Sequence, residues 1–182
     1  MTQSPARDLA RSRKYLTVDD VDLIQSLFEA HWRAQRPRWV ADLGAGSGTT
    51  ALAILERFPD DTRVMSVDRS QDALNWTEQA VKNCGWAHRW ESWCSHTSNG
   101  PRNGCLFDGL LLDTSHEQAD TAMELKLWLP SLRARSPVWL HDHTDAYPGV
   151  ALALAPFIAS GTLAEWSRRG MGWGGTYLGG SL

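Results

Sequence analysis

Few cysteines, little net charge and no long apolar run set the first limits on what this chain can be. Cys84, Cys94 and Cys105 are odd in number and match no zinc or redox spacing, so we expect free thiols in a reducing compartment. A formal net charge of −3 gives no electrostatic reason to expect nucleic acid or a membrane surface as a partner. No segment has the length and apolarity of a membrane span, and no signal-peptide pattern follows Met1. We therefore predict a cytoplasmic protein.

The length and composition are typical of one globular domain. With 182 residues, of which 42% are hydrophobic, a single core can bury enough apolar surface to fold without cross-links. One cluster of basic residues lies near the start of the chain and consists of Arg7, Arg11, Arg13 and Lys14. We interpret residues 1–15 as a solvated N-terminal tail and residues 16–182 as the single domain.

Helix-like and strand-like segments alternate along the chain. The apolar spacing predicts a first helix over residues 17–36, with Thr17 as its N-cap and Pro37 after its end. Further helices are predicted over residues 49–58 (stopped by Pro59), 71–84, 117–132 and 149–159. Strands are predicted over residues 39–42, 63–68, 88–94, 109–113, 137–141, 163–168 and 174–178. The composition also predicts a loop over residues 95–107 and a glycine-rich hairpin connection over 170–175. Such alternation indicates a mainly parallel sheet covered by helices on both faces.

A glycine-rich turn follows the first predicted strand. That strand ends in Asp42, and the turn then reads Gly44, Ala45, Gly46, Ser47 and Gly48 before the next helix. Glycines at such a turn let the backbone bend sharply and approach a ligand beyond the carboxyl ends of the strands.

The spacing of these glycines separates two kinds of nucleotide-like ligand. A dinucleotide site uses G-x-G-x-x-G, whereas the third glycine here comes one position early. Asp42 would repel a pyrophosphate, but it suits the ammonium group of S-adenosylmethionine (SAM). Asp68, which ends the second predicted strand, can accept both hydroxyls of a ribose.

At the turn and at Asp68 the sequence resembles the class I methyltransferase family. The resemblance implies an α/β fold: a Rossmann-like, doubly wound, mainly parallel seven-stranded sheet with helices on both faces and an antiparallel last strand. It also implies SAM as cofactor, bound by Asp42, by the turn residues 44–48 and by Asp68. Trp93 and Trp76 are further candidates for the cofactor site, because an aromatic face suits adenine, although either ring could instead pack in the core.

A second group of polar residues follows the fourth and fifth predicted strands. Asp113 ends the fourth strand and His116 comes three residues later, while His141, Asp142 and His143 end the fifth. In a parallel sheet these strand ends meet at the edge that carries the glycine turn. Two carboxylates placed close together repel each other unless a cation or a proton lies between them. Carboxylates favour Mg²⁺, and nearby imidazoles widen the choice to Mn²⁺, Fe²⁺ or Zn²⁺.

This second group resembles the metal-dependent small-molecule O-methyltransferases, both the catechol type and the sugar or macrolide type allied to the cephalosporin hydroxylases. The resemblance implies Asp113 as a catalytic residue and metal ligand and His116 as general base. The catechol-type pattern selects Asp142 and His143 as the remaining ligands, whereas the sugar-type pattern selects His141 and Asp142. Both choices stay open at this point, because this chain has histidine where either type has another residue.

These features together predict a SAM-dependent enzyme that methylates a hydroxyl of a small molecule with help from a divalent cation. A bound cation lowers the pKa of a hydroxyl, and a histidine base removes its proton. One alternative is a metal-independent methyltransferase of an amine or a carboxyl group, and another is a non-catalytic cofactor-binding module. The short chain leaves the site open, and we expect a homodimer where a second copy completes it.

Overall fold

Seven strands form one sheet in the computed structural model, which describes residues 4–13, 16–32, 38–58, 60–102 and 104–179. The strands are β1 (Arg38–Leu43), β2 (Thr62–Asp68), β3 (Trp90–Cys94), β4 (Gly109–Leu112), β5 (Pro137–Leu140), β6 (Leu163–Arg169) and β7 (Gly172–Tyr177). Their order across the sheet is β3-β2-β1-β4-β5-β7-β6. The β1/β2, β1/β4, β2/β3 and β4/β5 pairs are parallel, and β7 runs antiparallel to both of its neighbours. The predicted fold class is confirmed.

Helices cover both faces of this sheet. They are α1 (Pro5–Arg13), α2 (Val18–His31), α3 (Thr49–Arg57), α4 (Gln71–Asn83), α5 (Gln118–Trp128) and α6 (Pro148–Ala159). Side chains of α1 to α4 contribute to one buried apolar cluster and those of α5 and α6 to another. Neighbouring residues of β1 point to opposite faces, so Val40 joins the first cluster and Ala41 the second. Over the described ranges, no helix is both long and apolar enough to cross a membrane.

The N-terminal segment differs from its prediction as a solvated tail. Residues Pro5–Arg13 form α1, in which Ala6 and Ala10 are buried. Glu56 of α3 anchors this helix by accepting hydrogen bonds from the Ser4 hydroxyl and the Ala6 amide. A helix this short is marginal alone, so packing against α2 and α3 stabilises it and local propensity does not. Lys14 of the predicted basic cluster lies outside the described residues.

Two helices end earlier in the structure than the sequence predicted. Thr17 is the N-cap of α2, as predicted, and it forms a capping box with Asp20, but the helix ends at His31 and does not continue to residue 36. Residues 33–37, with Pro37, lie outside the described residues, as does Pro59. The helix predicted over 117–132 is α5 followed by a 3-10 turn, Leu129–Ser131, because Pro130 has no N–H to continue the α-helical pattern.

The glycine-rich hairpin is shorter than predicted, since β7 already begins at Gly172. A Cβ at Gly172 would lie 2.4 Å from the indole nitrogen of Trp139, and one at Gly174 would lie 3.2 Å from a methyl carbon of Leu27. These glycines therefore allow the strand to pack closely against a buried tryptophan and α2. The turn itself contains Gly170, whose φ is +62°.

Candidate active site

The glycine turn is held against the end of β4. Gly44, Gly46 and Gly48 all have positive φ, at +87°, +51° and +88°. A Cβ at Gly44 would lie 1.8 Å from the carbonyl oxygen of Asp113, whereas one at Gly46 would meet no atom within 4 Å. Gly44 is therefore required for backbone packing, and Gly46 faces open space.

The turn lines a cavity of about 470 Å³ at the carboxyl edge of the sheet. Four of the five predicted turn residues border it, namely Gly44, Ala45, Gly46 and Ser47. Gly48 instead packs against α4, where an added Cβ would lie 3.1 Å from the Cα of Thr77. A second, smaller cavity of about 200 Å³ lies on the β2 side and shares Gly44 with the first.

Asp68 stands between the two cavities and borders both. Its Oδ2 accepts a hydrogen bond from the Gly46 amide at 3.5 Å, and its Oδ1 accepts one from the Ser70 amide at 2.8 Å. The carboxylate is thus fixed beside the turn, in the position expected for an acceptor of ribose hydroxyls.

Asp42 lies elsewhere than the sequence suggested. Its side chain is fully buried on the α3 side of β1 and lines neither cavity. The Ser66 hydroxyl donates to its Oδ2 at 2.6 Å. Burial raises the pKa of Asp42 to about 7, although hydrogen bonds from Ser66 and Thr50 oppose the rise. This geometry offers no direct path from Asp42 to a ligand in the cavity.

Of the two predicted aromatic candidates, only one borders a cavity. Trp93 lies on β3 with the Arg102 guanidinium 4.8 Å from the centre of its ring, and it borders neither cavity. Trp76 of α4 lines the larger cavity and is 57% exposed. The structure therefore gives an open aromatic surface to Trp76 and not to Trp93.

The ends of β4 and β5 bring three predicted ligands together. Asp113, His141 and Asp142 can each offer one ligand atom, and these atoms lie within 4.8 Å of one another. His141 Nδ1 is 3.2 Å from Asp113 Oδ1 and 3.0 Å from Asp142 Oδ2. The backbone of Asp142 has φ of 55°, a left-handed conformation that is uncommon for residues other than glycine but is adopted by aspartate more often than by most.

His143 points away from this group. Its amide donates to the Met171 carbonyl, and burial and the charge of Arg168 lower the pKa of its imidazole. His143 borders neither cavity. Of the two ligand pairs that the sequence left open, the geometry brings together His141 and Asp142.

His116 forms a pair with Asp142 on the side of the larger cavity. Its Nε2 lies 2.6 Å from Asp142 Oδ2, and its ring packs against Tyr147 at a centroid distance of 4.3 Å. The side chain is 37% exposed, so one edge of the ring remains accessible.

Asp20 is a member of the site that sequence reasoning missed. Its carboxylate is fully buried, caps α2 through Thr17 and accepts the Met171 amide at 2.9 Å. The same carboxylate lies 3.8 Å from His141 Nε2. Burial alone would lower the pKa of His141, but Asp113, Asp142 and Asp20 raise it to about 12. The Thr-x-x-Asp capping pattern was visible in the sequence, but its contact with a strand 120 residues away was not.

The cavity walls contain further residues that had no sequence signal. Leu16, Tyr147 and Met171 join Trp76 in a largely apolar wall of the larger cavity, and Arg13 of α1 borders its rim. The smaller cavity is bordered by His96 and by five polar residues that follow β3 or β4 or belong to α5: Thr97, Thr114, Ser115, Asp120 and Glu124.

The fold and the edge of the sheet define a class I SAM-dependent methyltransferase. A profile of the methyltransferase domain family matches residues 41–143, which is more than half of the chain. The chain therefore belongs to this family and is an enzyme. The matched segment runs from β1 through the glycine turn to the His141–His143 group.

Solved structures show the same fold at low identity. A SAM-dependent O-methyltransferase from Thermotoga maritima is 12% identical with a TM-score of 0.76, over 97% of this chain and 72% of that chain. The O-methyltransferase TomG from Streptomyces achromogenes, involved in tomaymycin synthesis and solved in complex with SAM, is 16% identical with a TM-score of 0.71, over 98% of this chain and 91% of that chain. TrmN from Thermus thermophilus is 21% identical with a TM-score of 0.72, over 98% of this chain and 55% of that chain.

Proposed function

We propose that this methyltransferase transfers a methyl group from SAM to a hydroxyl of a small molecule, with His116 as general base. The observation that carries the proposal is the His116–Asp142 pair, which borders the same cavity as the glycine turn. A base, a carboxylate that orients it and a candidate cofactor turn therefore surround one space.

The residues at the turn fit SAM. Gly46 leaves open the space that a side chain would fill, and Asp68 offers carboxylate oxygens beside it. When bound, SAM supplies an electrophilic methyl group on a positively charged sulfur. Ala45 and Ser47 complete the cradle, and Asp68 accepts the ribose hydroxyls. Because methyl transfer is an in-line displacement, the main task of these residues is positioning.

The contact with Asp142 determines which ring nitrogen of His116 carries a proton and which can accept one. Asp142 accepts from Nε2, which fixes the tautomer and leaves Nδ1 as the proton acceptor. Packing of the ring on Tyr147 fixes its plane. A base in this position removes the hydroxyl proton of an acceptor as the oxygen attacks, which makes the oxygen a better nucleophile.

The donor set of two carboxylates and an imidazole fits a divalent cation, and we propose Asp113, His141 and Asp142 as its ligands. A cation held there stabilises an oxyanion, and carboxylate donors favour Mg²⁺, with Mn²⁺, Fe²⁺ or Zn²⁺ as alternatives. Asp20 lies behind His141 on the Nε2 side, so Nδ1 is the nitrogen that faces the two carboxylates. This arrangement matches the carboxylate–histidine support found behind metal ligands.

The charge on His141 also supports a metal-independent enzyme as a second candidate. Asp113, Asp142 and Asp20 raise the pKa of His141 to about 12, so a protonated imidazole can supply the positive charge between the carboxylates. In that case both ring nitrogens of His141 stay with the carboxylates, and His116 is the base that acts on an amine or carboxyl acceptor without a cation.

The acceptor class follows from the walls of the cavity. A cavity of about 470 Å³ with one apolar and aromatic wall and a group of charged side chains facing it suits a small polar molecule. Neither nucleic acid nor a membrane is part of the proposal. A homodimer and a cytoplasmic location remain predictions from the sequence.

Methyl-labelled SAM and paired acceptors test the proposal. The enzyme is incubated with catechol, a hexose, ortho-phenylenediamine and benzoate, with and without Mg²⁺, and the products are separated by mass. We expect label on hydroxyl compounds and its loss in His116→Ala. Label confined to the diamine or to benzoate would refute oxygen methylation.

A further inference from the structure

Arg13, the last residue of α1, borders the larger cavity, and among the described residues no acidic side chain forms an ion pair with it. Two other arginines of the same helix do have such partners: Arg7 pairs with Asp22, and Arg11 pairs with Asp8 at 3.0 Å. Arg13 is exposed. Its guanidinium can therefore turn toward a ligand in the cavity without first breaking an ion pair.

Packing of α1 holds Arg13 at this place. The helix buries two alanines, and Glu56 near the end of α3 accepts hydrogen bonds from its first residues. Thr49 and Thr50, at the beginning of α3, line the cavity together with Arg13. α1 therefore runs antiparallel to α3, and its last turn reaches the cavity. The arginine belongs to a packed helix, so its position is set by the fold.

The carboxylates that border the same cavity already have partners within the protein. Asp68 accepts hydrogen bonds from two backbone amides, and Asp113 and Asp142 each lie within 3.2 Å of a histidine ring nitrogen. The carboxylate of the cofactor can bind to the first amides of α3, because the N-cap Gly48 has no side chain to occupy them. Arg13 is thus left for a negatively charged group of the acceptor.

We propose that Arg13 selects acceptors that carry a carboxylate as well as a hydroxyl, by pairing with the carboxylate while His116 acts on the hydroxyl. The inference rests on the proposed function, which assigns the larger cavity to the acceptor. A guanidinium donates two parallel hydrogen bonds to a carboxylate, so it distinguishes this group from a neutral amide of similar shape. Tyr147, which packs against His116 and is 40% exposed, offers a flat surface to the body of the acceptor. The acceptor class is therefore a planar hydroxy acid.

Two compounds that differ in charge and hardly in shape test this selectivity. 3,4-Dihydroxybenzoate and 3,4-dihydroxybenzamide are titrated calorimetrically at pH 7.5 into the protein saturated with S-adenosylhomocysteine and Mg²⁺, and methyl transfer to each is measured with labelled SAM. We expect the wild type to bind the benzoate about fivefold more tightly, as an ion pair at an exposed rim predicts. Arg13→Gln should abolish this preference by weakening benzoate binding alone, and Arg13→Lys should keep part of it.

Arg11→Gln is the matched control, because Arg11 is exposed two residues earlier in the same helix and pairs with Asp8. It should keep the wild-type preference. The proposal is overturned if the wild type binds both compounds equally or binds neither, or if Arg13→Gln keeps the preference. A loss of S-adenosylhomocysteine affinity in Arg13→Gln overturns it too, because the arginine then holds the carboxylate of the cofactor.

Failure of this inference is distinguishable from failure of the proposed function. Equal binding of the two compounds, with methyl transfer to both, overturns the selection by charge and leaves methylation of a hydroxyl standing. Selective binding of the benzoate that depends on Arg13, without methyl transfer to either compound, supports the selection by charge and contradicts the proposed reaction.

Discussion

Replacing either of two glycines in the same turn by alanine should have different main effects, on stability at Gly44 and on ligand binding at Gly46. Gly44 and Gly46 both have positive φ, so alanine costs about 1 to 2 kcal/mol of backbone strain at either position. A Cβ at position 44 would also lie 1.8 Å from the Asp113 carbonyl oxygen, whereas one at position 46 meets nothing within 4 Å. Overpacking of this kind adds roughly 1 to 3 kcal/mol or more, because backbone must move.

We therefore expect Gly44→Ala to lower the free energy of unfolding by about 2 to 5 kcal/mol and Gly46→Ala by about 1 to 2 kcal/mol. The direct effect on cofactor-product binding should instead be larger for Gly46→Ala. The Gly46→Ala methyl enters the cavity that the turn lines, so it should weaken S-adenosylhomocysteine binding at least tenfold while the protein stays folded.

Urea unfolding of the apoprotein gives the first quantity and calorimetric titration of S-adenosylhomocysteine gives the second. Each variant serves as the control for the other, because the backbone strain is common to both. Equal destabilisation by the two variants would refute the packing argument at Gly44. Unchanged affinity in Gly46→Ala would refute the assignment of this turn to the cofactor.

Three further predictions concern the charged residues. His116→Ala should lower the rate of methyl transfer by about 10²–10⁴-fold while calorimetric affinity for S-adenosylhomocysteine stays the same, and a retained rate would remove His116 as base. Because burial raises the pKa of Asp42 to about 7 from 3.8, folding favours its protonated form, so its contribution to stability is present at low pH and is lost between about pH 4 and 7. Asp42→Asn should abolish this decline, which is on the order of 4 kcal/mol, and parallel pH profiles of unfolding would contradict it. Calorimetry should show that Mn²⁺ binding is lost in Asp113→Asn and kept in the exposed control Asp145→Asn. Mn²⁺ binding that Asp113→Asn leaves unchanged would remove Asp113 as a ligand.

The sequence was sufficient for the fold because its signals were local. Alternating apolar segments, the Thr17 cap and the glycine turn each act within a few residues, and the element order then leaves few ways to build the sheet. That Asp68, Asp113, His141 and Asp142 lie near one another could be predicted for the same reason, since the ends of parallel strands meet at one edge.

What the sequence could not show depends on contacts between distant segments. α1 is a short helix that is stabilised by burial against α3, and Glu124 accepts hydrogen bonds from two loops that a linear pattern does not connect. Asp42 has the expected residue type at the expected strand end, yet the face on which its side chain lies is buried. Trp93 likewise has the expected ring but lies beside Arg102, away from both cavities.

The cluster at the ends of β4 and β5 carries an excess of negative charge, which either a proton or a metal ion can offset. Asp20, Asp113 and Asp142 place three carboxylates around His141, and such a group is stable only with positive charge among them. A proton on the imidazole provides that charge, but it occupies the same nitrogen that a metal ion would use. Proton and metal therefore compete for His141 Nδ1, and metal affinity must rise with pH as long as the imidazole is protonated. Asp113, His141 and Asp142 thus fit both candidate mechanisms, and the competition between proton and metal for His141 Nδ1 decides between them.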